Sequence, residues 1–380
     1  MSESKHIKLL VIPELFPLDD NDHAGIYTLD YIKAVQPFCD VSVFYPRLAG
    51  QTEAEVLRDP RGFNIRYFAL LRDQPRFLKR LLYVQWFTRA LKVAKKMGPF
   101  DLIHAHGPLL HGNLAVQLAK HWKIPVVLSV HTGPFSTIAN NPFYARMAKR
   151  SLERADLTLA VSAHLQHDIL EAGFSPKRME VSGNPVNDAL FVPKEEKTLS
   201  KKMLFVSRLD ENKGGMRTLK AFHKASESLE DWQLLVVGKG CEMTAMEQYI
   251  SQHGLNDKVR MLVKMGREKL AQTMAACDFL VFPSEHETFG LVPHEALCAG
   301  IPVITSNTTA MKEWVPIRAG LKVAPQDVEA IAAAMVKMAH SLDAYRPEEL
   351  RKMTVSRFGH EAFGLQMKKL YQSLLSPCAV

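Results

Sequence analysis

The chain has 380 residues, which exceeds one ordinary domain and predicts two. Hydrophobic residues make up 47% of it and charged residues 23%, a globular composition that excludes extensive disorder. The net charge of +8 favours an anionic partner without naming one.

The N-terminal sequence and the cysteines predict a cytoplasmic protein. Residues Met1 to Lys8 are polar and lead directly into an apolar run, which is not the layout of a signal peptide. No apolar stretch approaches the roughly 18 residues of a membrane span. The five cysteines are scattered and lack the paired spacing of a zinc or redox site, so reduced thiols are expected.

The first half of the chain reads as strands alternating with helices, which predicts a parallel sheet. The first strand is followed by a polar loop and by a helix from about Gly25. The predicted strands are Lys8 to Ile12, Val41 to Tyr45, Leu102 to Ala105, Val126 to Val130 and Leu157 to Val161.

A basic segment, Arg72 to Lys96, carries much of the excess charge, with eight Lys or Arg residues against one acid. Apolar residues interleave with the cations at helical spacing. The pattern fits a helix on an anionic membrane surface and also a core-packing helix with a solvated basic face. Nucleic acid is not expected, because no recognised binding motif accompanies the charge.

The pattern breaks at Val181 to Pro193, where two prolines precede a charged stretch, and this predicts a linker. A second strand–helix series follows it. We predict a first domain over 1–190, a second domain over 191–358 and a segment 359–380 whose helix can return to the first domain. The second series of strands is Met203 to Ser207, Leu234 to Gly238, Val259 to Leu262, Phe279 to Pro283 and Val303 to Thr305.

The loop that follows the first of these strands presents two cations. Arg208 and Lys213 lie where a strand ends and a helix opens, and cations at a helix N-terminus suit a diphosphate. A surface salt-bridge loop is the alternative interpretation of this segment.

A second candidate loop follows the strand that ends at Pro283. Glu287 lies in the loop and Glu295 in the first turns of a helix that begins near Val292, so both carboxylates can accept hydrogen bonds from ligand hydroxyls. Gly290 lets backbone amides approach a phosphate. An acidic loop with helix-capping glutamates is the alternative.

In their order and spacing, these segments resemble glycosyltransferase family 4. The matching runs are Arg-Leu-Asp-x-x-Lys-Gly at Arg208 to Gly214, Val-Gly-x-Gly at Val237 to Gly240, Glu-Thr-Phe-Gly-Leu-x-x-x-Glu-Ala at Glu287 to Ala296, and Ala-Gly-Ile-Pro-Val-Ile at Ala299 to Ile304. The resemblance implies the GT-B fold, an α/β architecture of two Rossmann-like doubly wound domains facing a central cleft. It implies that the N-terminal domain binds the acceptor and that the C-terminal domain binds the nucleotide sugar. It also implies retaining transfer of a hexose from a nucleotide diphosphate sugar.

The resemblance also implies roles for individual residues. Arg208 and Lys213 are expected to neutralise the donor diphosphate, Glu287 to hold hydroxyls of the transferred sugar and Glu295 to bind the ribose. The remaining donor-binding residues are expected to be Gly25, Gly238, Thr288, Phe289, Gly290, Leu291 and Val292. No metal or other cofactor is expected.

His131, which ends a strand of the first domain, resembles the family's histidine near the reacting sugar. A strand-end histidine is otherwise usually structural. The neighbouring His104, His106 and His111 invite a metal interpretation, which no downstream carboxylate spacing supports. Ala24 and Gly25 stand where the family usually shows two glycines.

A uridine diphosphate sugar is the expected donor, with guanosine diphosphate mannose as the alternative. The expected acceptor is a glycan or a lipid-linked glycan in polysaccharide or glycoconjugate biosynthesis, with contact at the inner membrane face. The alternatives are an epimerase or phosphorylase on the same architecture, or a non-catalytic nucleotide-sugar-binding protein.

Overall fold

The computed structural model describes residues 6–17, 24–47, 56–58, 64–69, 79–195, 198–263 and 265–376. The chain divides into two compact units. The described residues up to Gly183 and from Phe363 onward form the first unit, and Asn184 to Ala362 belong to the second. The change of unit thus comes before the sequence-predicted boundary at 190, and the chain returns to the first unit at Phe363 rather than at residue 359.

The first unit is built on an eight-stranded sheet in the order β3-β4-β2-β1-β5-β6-β7-β8. All neighbouring strands are parallel except β3, which runs antiparallel to β4. Strands β5, β6 and β7 are buried along their whole length, which explains why apolar residues predominate in them. The strands are β1 (Ile7–Ile12), β2 (Cys39–Arg47), β3 (Val56–Arg58), β4 (Asn64–Ala69), β5 (Leu102–His106), β6 (Val126–Val130), β7 (Leu157–Ala160) and β8 (Met179–Val181).

Helices follow these strands, and local sequence signals begin two of them. The Asn141 side chain accepts hydrogen bonds from the first-turn amides of α5, and Pro142 occupies the first position. The Ser162 hydroxyl caps α6 in the same way. The helices are α1 (Ile26–Val35), α2 (Lys79–Ala94), α3 (Leu110–Trp122), α4 (Ser136–Ala139), α5 (Pro142–Arg154) and α6 (Ala163–Glu171).

The second unit is built on a six-stranded parallel sheet in the order β11-β10-β9-β12-β13-β14. Its strands are β9 (Lys202–Val206), β10 (Gln233–Val237), β11 (Val259–Leu262), β12 (Phe279–Phe282), β13 (Val303–Ser306) and β14 (Gly320–Val323). Its helices are α7 (Gly215–Ala225), α8 (Met243–Gln252), α9 (Arg267–Ala275), α10 (Leu291–Cys298), α11 (Thr309–Trp314), α12 (Val328–His340) and α13 (Pro347–Phe358), with 3-10 turns at Glu211–Lys213, Ile317–Ala319 and Leu342–Ala344.

The last helix, α14 (His360–Leu375), packs on the first sheet. Its buried residues Phe363, Met367 and Tyr371 recur every four positions, so they lie on one face of the helix. They join the core formed by β1, β2 and α1.

The strand order reverses once in each sheet, between β1 and β5 in the first and between β9 and β12 in the second. Open parallel sheets bind ligands beyond the carboxyl ends of their strands at this reversal. The predicted fold class, α/β with two doubly wound sheets, is confirmed.

Helix α2 contains most of the described part of the basic segment. Trp86, Ala90 and Ala94 are buried, as expected for a helix that packs on the core. Arg89 and Lys92 on the same helix are exposed. Residues 72–78 lie outside the described residues. Within the described part of the chain, no helix is both long enough and apolar enough to cross a membrane.

Candidate active site

The loops after β9 and β12 are joined at the strand reversal of the second sheet. The Glu285 amide donates a 2.9 Å hydrogen bond to the Asn212 carbonyl. Arg217, in the first turn of α7, pairs with the Glu285 carboxylate at 2.8 Å. Two segments that are distant in sequence therefore form one surface.

Lys213 and Glu287 meet on this surface. The Lys213 Nζ donates a 2.7 Å hydrogen bond to Glu287 Oε1, and their side chains are 17% and 14% exposed. The Glu287 amide donates to the Thr309 hydroxyl at 3.1 Å, which anchors the loop to α11. The sequence prediction named both charged residues, and the structure shows that they are partners.

Arg208 differs from Lys213 in its exposure. Its side chain is 72% exposed, and the guanidinium contacts Asp210 Oδ2 at 3.1 Å. A long exposed side chain held by a neighbouring surface carboxylate can change partner at little cost. Arg208 therefore presents a movable cation beside the fixed Lys213.

Two predicted glycines of the second unit lie at tight points of the backbone. A Cβ atom on Gly238, which follows β10, would lie 1.9 Å from the Ser207 carbonyl oxygen, so the close approach of these loops requires glycine. Gly290 adopts a φ of 81° and is the residue from which α10 begins.

The loop before α10 is held by aromatic packing. The Phe289 ring is buried and stacks on His294 at 4.3 Å, and Phe358 meets it edge-on. Burial lowers the pKa of His294 to about 4, so the ring is neutral, and its Nδ1 lies 2.7 Å from the Gly290 carbonyl. Phe289 thus supports the loop from inside. Three other predicted donor residues, Thr288, Leu291 and Val292, are partly exposed beside it.

Glu295 projects from α10 into a buried ion pair. Its side chain is 4% exposed, and Oε1 accepts a 2.8 Å hydrogen bond from Arg267 at the start of α9. Arg267 also lies over the Phe191 ring at 5.4 Å. The sequence analysis did not identify Arg267, because it belongs to none of the motifs and comes from a separate helix.

In the first unit, three histidines form a row at the carboxyl ends of β5 and β6. His104 and His106 stack at 4.8 Å, and His106 and His131 at 5.2 Å. His106 Nδ1 and His131 Nε2 share a hydrogen bond of 2.9 Å. The alternation of side chains along β5 places His104 and His106 on one face of the sheet.

The inner end of this row is fixed by hydroxyl groups. His104 Nδ1 lies 2.6 Å from the Tyr31 hydroxyl and 2.7 Å from that of Tyr371, and its Nε2 lies 2.7 Å from the Ser129 hydroxyl. Burial, with a smaller contribution from His131, lowers the pKa of His104 to about 3. Burial also holds the pKa of His106 well below its usual value. These two rings are therefore neutral at pH 7.

The outer end of the row faces the loop after β1. The Tyr27 ring lies 4.1 Å from that of His131. Gly25, one residue before α1, adopts a φ of 79°, and a Cβ atom there would lie 2.1 Å from the Leu15 carbonyl oxygen. Burial raises the pKa of Glu14 to about 7. The strand reversal of the first sheet therefore brings Gly25 and His131 to one edge, with a carboxyl group that titrates near neutrality.

A metal site would require several of the histidines to converge on one point. His111 contacts the Pro46 carbonyl at 3.3 Å, away from the row. The described residues include no group of three His, Cys, Asp or Glu side chains placed to hold a metal ion.

Two sequence-family models match consecutive parts of the chain. "Glycosyltransferase Family 4" matches residues 24–190, and "Glycosyl transferases group 1" matches residues 187–353. The chain belongs to glycosyltransferase family 4.

This glycosyltransferase is similar to a curated relative and to solved structures. It is 27% identical over 213 residues to the GDP-mannose:cellobiosyl-diphosphopolyprenol alpha-mannosyltransferase of Xanthomonas oryzae, a match that covers 54% of this chain and 56% of that protein. The chain thus matches little more than half the length of that relative.

Two solved structures show the GT-B fold over nearly the whole chain. Sucrose-phosphate synthase from Thermosynechococcus elongatus superposes with a TM-score of 0.78 at 23% identity, covering 97% of this chain and 99% of that one. Anabaena Alr3699/HepE, in complex with UDP-glucose, gives 0.75 at 20% identity, covering 97% and 100%.

Proposed function

We propose that this protein is a retaining hexosyltransferase that uses a nucleotide diphosphate sugar. The observation that carries the proposal is the pairing of Lys213 with Glu287 at the strand reversal of the second sheet. A cation and a carboxylate on adjacent loops supply the two groups that a sugar diphosphate requires, one for phosphate oxygens and one for sugar hydroxyls.

The cations act where charge develops. As the glycosidic bond breaks, the leaving diphosphate gains negative charge, and Lys213 together with Arg208 stabilises it. Amides at the start of α10, near Gly290, contribute in the same direction because the N-terminus of a helix is electropositive. These groups supply the stabilisation without a metal ion.

The carboxylates orient the donor. Glu287 accepts hydrogen bonds from hydroxyls of the transferred sugar, and Glu295 accepts them from the ribose. Arg267 pairs with the Glu295 carboxylate and holds it in place at a buried position. Gly238 keeps the neighbouring loop close enough for the nucleotide to lie against it.

In the first unit, His131 contacts the transferred sugar. The acceptor hydroxyl attacks from the face that the diphosphate leaves, and the departing phosphate accepts its proton, so the configuration is retained. Gly25 lets the backbone after β1 approach the phosphates.

We propose uridine diphosphate as the nucleotide of the donor. The support is the similarity in fold to HepE, which was solved with UDP-glucose, while the mannosyltransferase relative carries GDP-mannose in its name. The proposed acceptor is a glycan or a lipid-linked glycan, in a cytoplasmic reaction at an anionic membrane surface. Exposed cations of α2 and the residues after it, such as Arg89, Lys92 and Lys95, provide the contact with that surface.

A binding screen tests this proposal. We expect one class of nucleoside diphosphate and its sugar conjugates to raise the melting temperature of the protein, with or without EDTA, because a ligand that binds only the folded state stabilises it. No stabilisation by any of them would contradict the proposal, and loss of the effect with EDTA would contradict its metal-free site.

A further inference from the structure

A groove of about 700 Å³ lies between α2, α3 and α5 of the first unit, and the proposed chemistry does not use it. Apolar side chains from all three helices line it, among them Val84 and Phe87 of α2, Leu110 of α3 and Met147 of α5. Tyr83 and Phe143 face each other from α2 and α5, with their ring centroids 5.7 Å apart. The volume falls within the range of small-molecule sites, which are mostly apolar.

The groove lies at the edge of the first sheet that holds His131. Leu110, the first residue of α3, lines it, and α3 begins shortly after His106 at the end of β5. The start of α5, which follows β6 and the short α4, also contributes Pro142. Because these helices start at the carboxyl ends of parallel strands, the groove shares an edge of the sheet with His131.

The helices that line the groove are rich in basic residues. The sequences of α2, α3 and α5 together contain nine Lys or Arg residues and one acid, Glu153. Two of these cations, Arg146 and Arg150, line the groove one helical turn apart on α5. Neither guanidinium has an ion-pair partner within the described parts of the chain. Guanidinium groups bind phosphate oxygens in bidentate geometry, so the groove complements an anionic phosphate joined to an apolar chain.

We propose that this groove binds the lipid part of a lipid-linked acceptor. The apolar chain lies along Val84, Phe87 and Met147, and its phosphate or diphosphate contacts Arg146 and Arg150. The inference rests on the proposed transferase function, since it names the acceptor class for that reaction. A concave site holds a single chain, whereas adsorption to a bilayer requires only an exposed face.

Calorimetric titration of the full chain with farnesyl monophosphate, below its critical micelle concentration, tests the proposal. The Val84→Glu change places a carboxylate in the groove, and the 61% exposure of Val84 makes the change compatible with folding. We expect the affinity for farnesyl monophosphate to fall at least tenfold. The new carboxylate repels the phosphate, and the farnesyl chain must remove water from it in order to bind. Leu170→Glu is the matched control, since Leu170 is 51% exposed on α6 and does not line the groove.

Two further variants separate shape from charge. Thr88→Trp fills the groove without adding charge and should also weaken binding. Arg146→Gln with Arg150→Gln should weaken binding of farnesyl monophosphate and leave binding of farnesol unchanged. The proposal would be overturned if Val84→Glu and Thr88→Trp bound farnesyl monophosphate as tightly as the wild-type protein does. Thermal melting must first show that all three proteins are folded.

Parallel titration with UDP-glucose and GDP-mannose distinguishes failure of this inference from failure of the proposed function. Donor binding that is the same in all groove variants, with loss of farnesyl monophosphate binding, supports the inference. Donor binding without any farnesyl monophosphate binding refutes the groove and leaves the transferase proposal standing. Sedimentation with phosphatidylglycerol vesicles, without binding of dispersed farnesyl monophosphate, means surface adsorption and also refutes it.

Discussion

Removal of either partner of the Lys213–Glu287 pair should greatly slow sugar transfer and leave the fold intact. The Lys213→Ala change removes a nearly buried cation from the proposed diphosphate site. The Glu287→Gln change keeps the shape of the side chain but removes its charge. Both groups lie on loops beyond the ends of β9 and β12, outside the hydrophobic core of the second unit.

The expected loss of activity follows from the contacts of the two side chains. A hydrogen bond with a charged group contributes about 1.5 to 3 kcal/mol, a factor of roughly 10 to 150. A fixed group aimed at charge that develops in the transition state contributes about 100- to 1,000-fold in kcat. We therefore expect each single variant to lose about 100- to 1,000-fold. The double variant should be little worse than the poorer single one, because the two groups act as a unit.

The assay is release of nucleoside diphosphate and formation of labelled glycan by purified protein, with melting temperatures measured alongside. Lys224 and Glu329 provide a matched control pair, because they are also 2.7 Å apart but 53% and 74% exposed on α7 and α12. Lys224→Ala and Glu329→Gln should keep full activity. A fully active Lys213→Ala or Glu287→Gln enzyme would refute the assigned roles.

Three other predictions concern the first unit. Gly25→Ala should strongly destabilise the protein, because its Cβ would overlap the Leu15 carbonyl at 2.1 Å; a melting curve like that of the wild type would contradict this. His104 has a folded-state pKa of about 3 against 6.5 in the unfolded chain, so its contribution to stability is complete above pH 6.5 and is lost as pH falls towards 3. Between pH 6.5 and 5 the free energy of unfolding, measured with urea, should therefore fall by about 2 kcal/mol. In the His104→Phe variant this free energy should depend less steeply on pH. Finally, the protein should co-sediment with anionic vesicles at low salt, and less so when Arg89 and Lys92 are changed to Gln. Co-sedimentation that this double variant keeps in full would contradict membrane contact through α2.

Much of the fold could be read from apolar runs. Strands β6 and β11 agree with the predicted ranges, and a helix, α14, occupies the C-terminal segment as predicted. The edge strands β3, β8 and β14 were not predicted, and neither was β4, which lies next to β3. Strand β8 ends at Val181, where the linker was expected to begin. Edge strands are short and only partly apolar, so their hydrophobic pattern is weak.

The candidate site, like the fold, could be predicted only in part. Sequence spacing identified Lys213 and Glu287, since their motifs have a fixed order along the chain. It could not identify Arg267 as the partner of Glu295, or the role of His106 beside His131, because each contact joins elements that are distant in sequence.

The sequence by itself determined the type of each main element, the division into two strand–helix series and the family, since these follow from local periodicity and ordered motifs. Only the tertiary structure decided which loops meet at each strand reversal, which charges are paired and which helices enclose the groove. Pairing and enclosure depend on burial and on the order of strands in the sheet, and no local pattern of residues encodes that order.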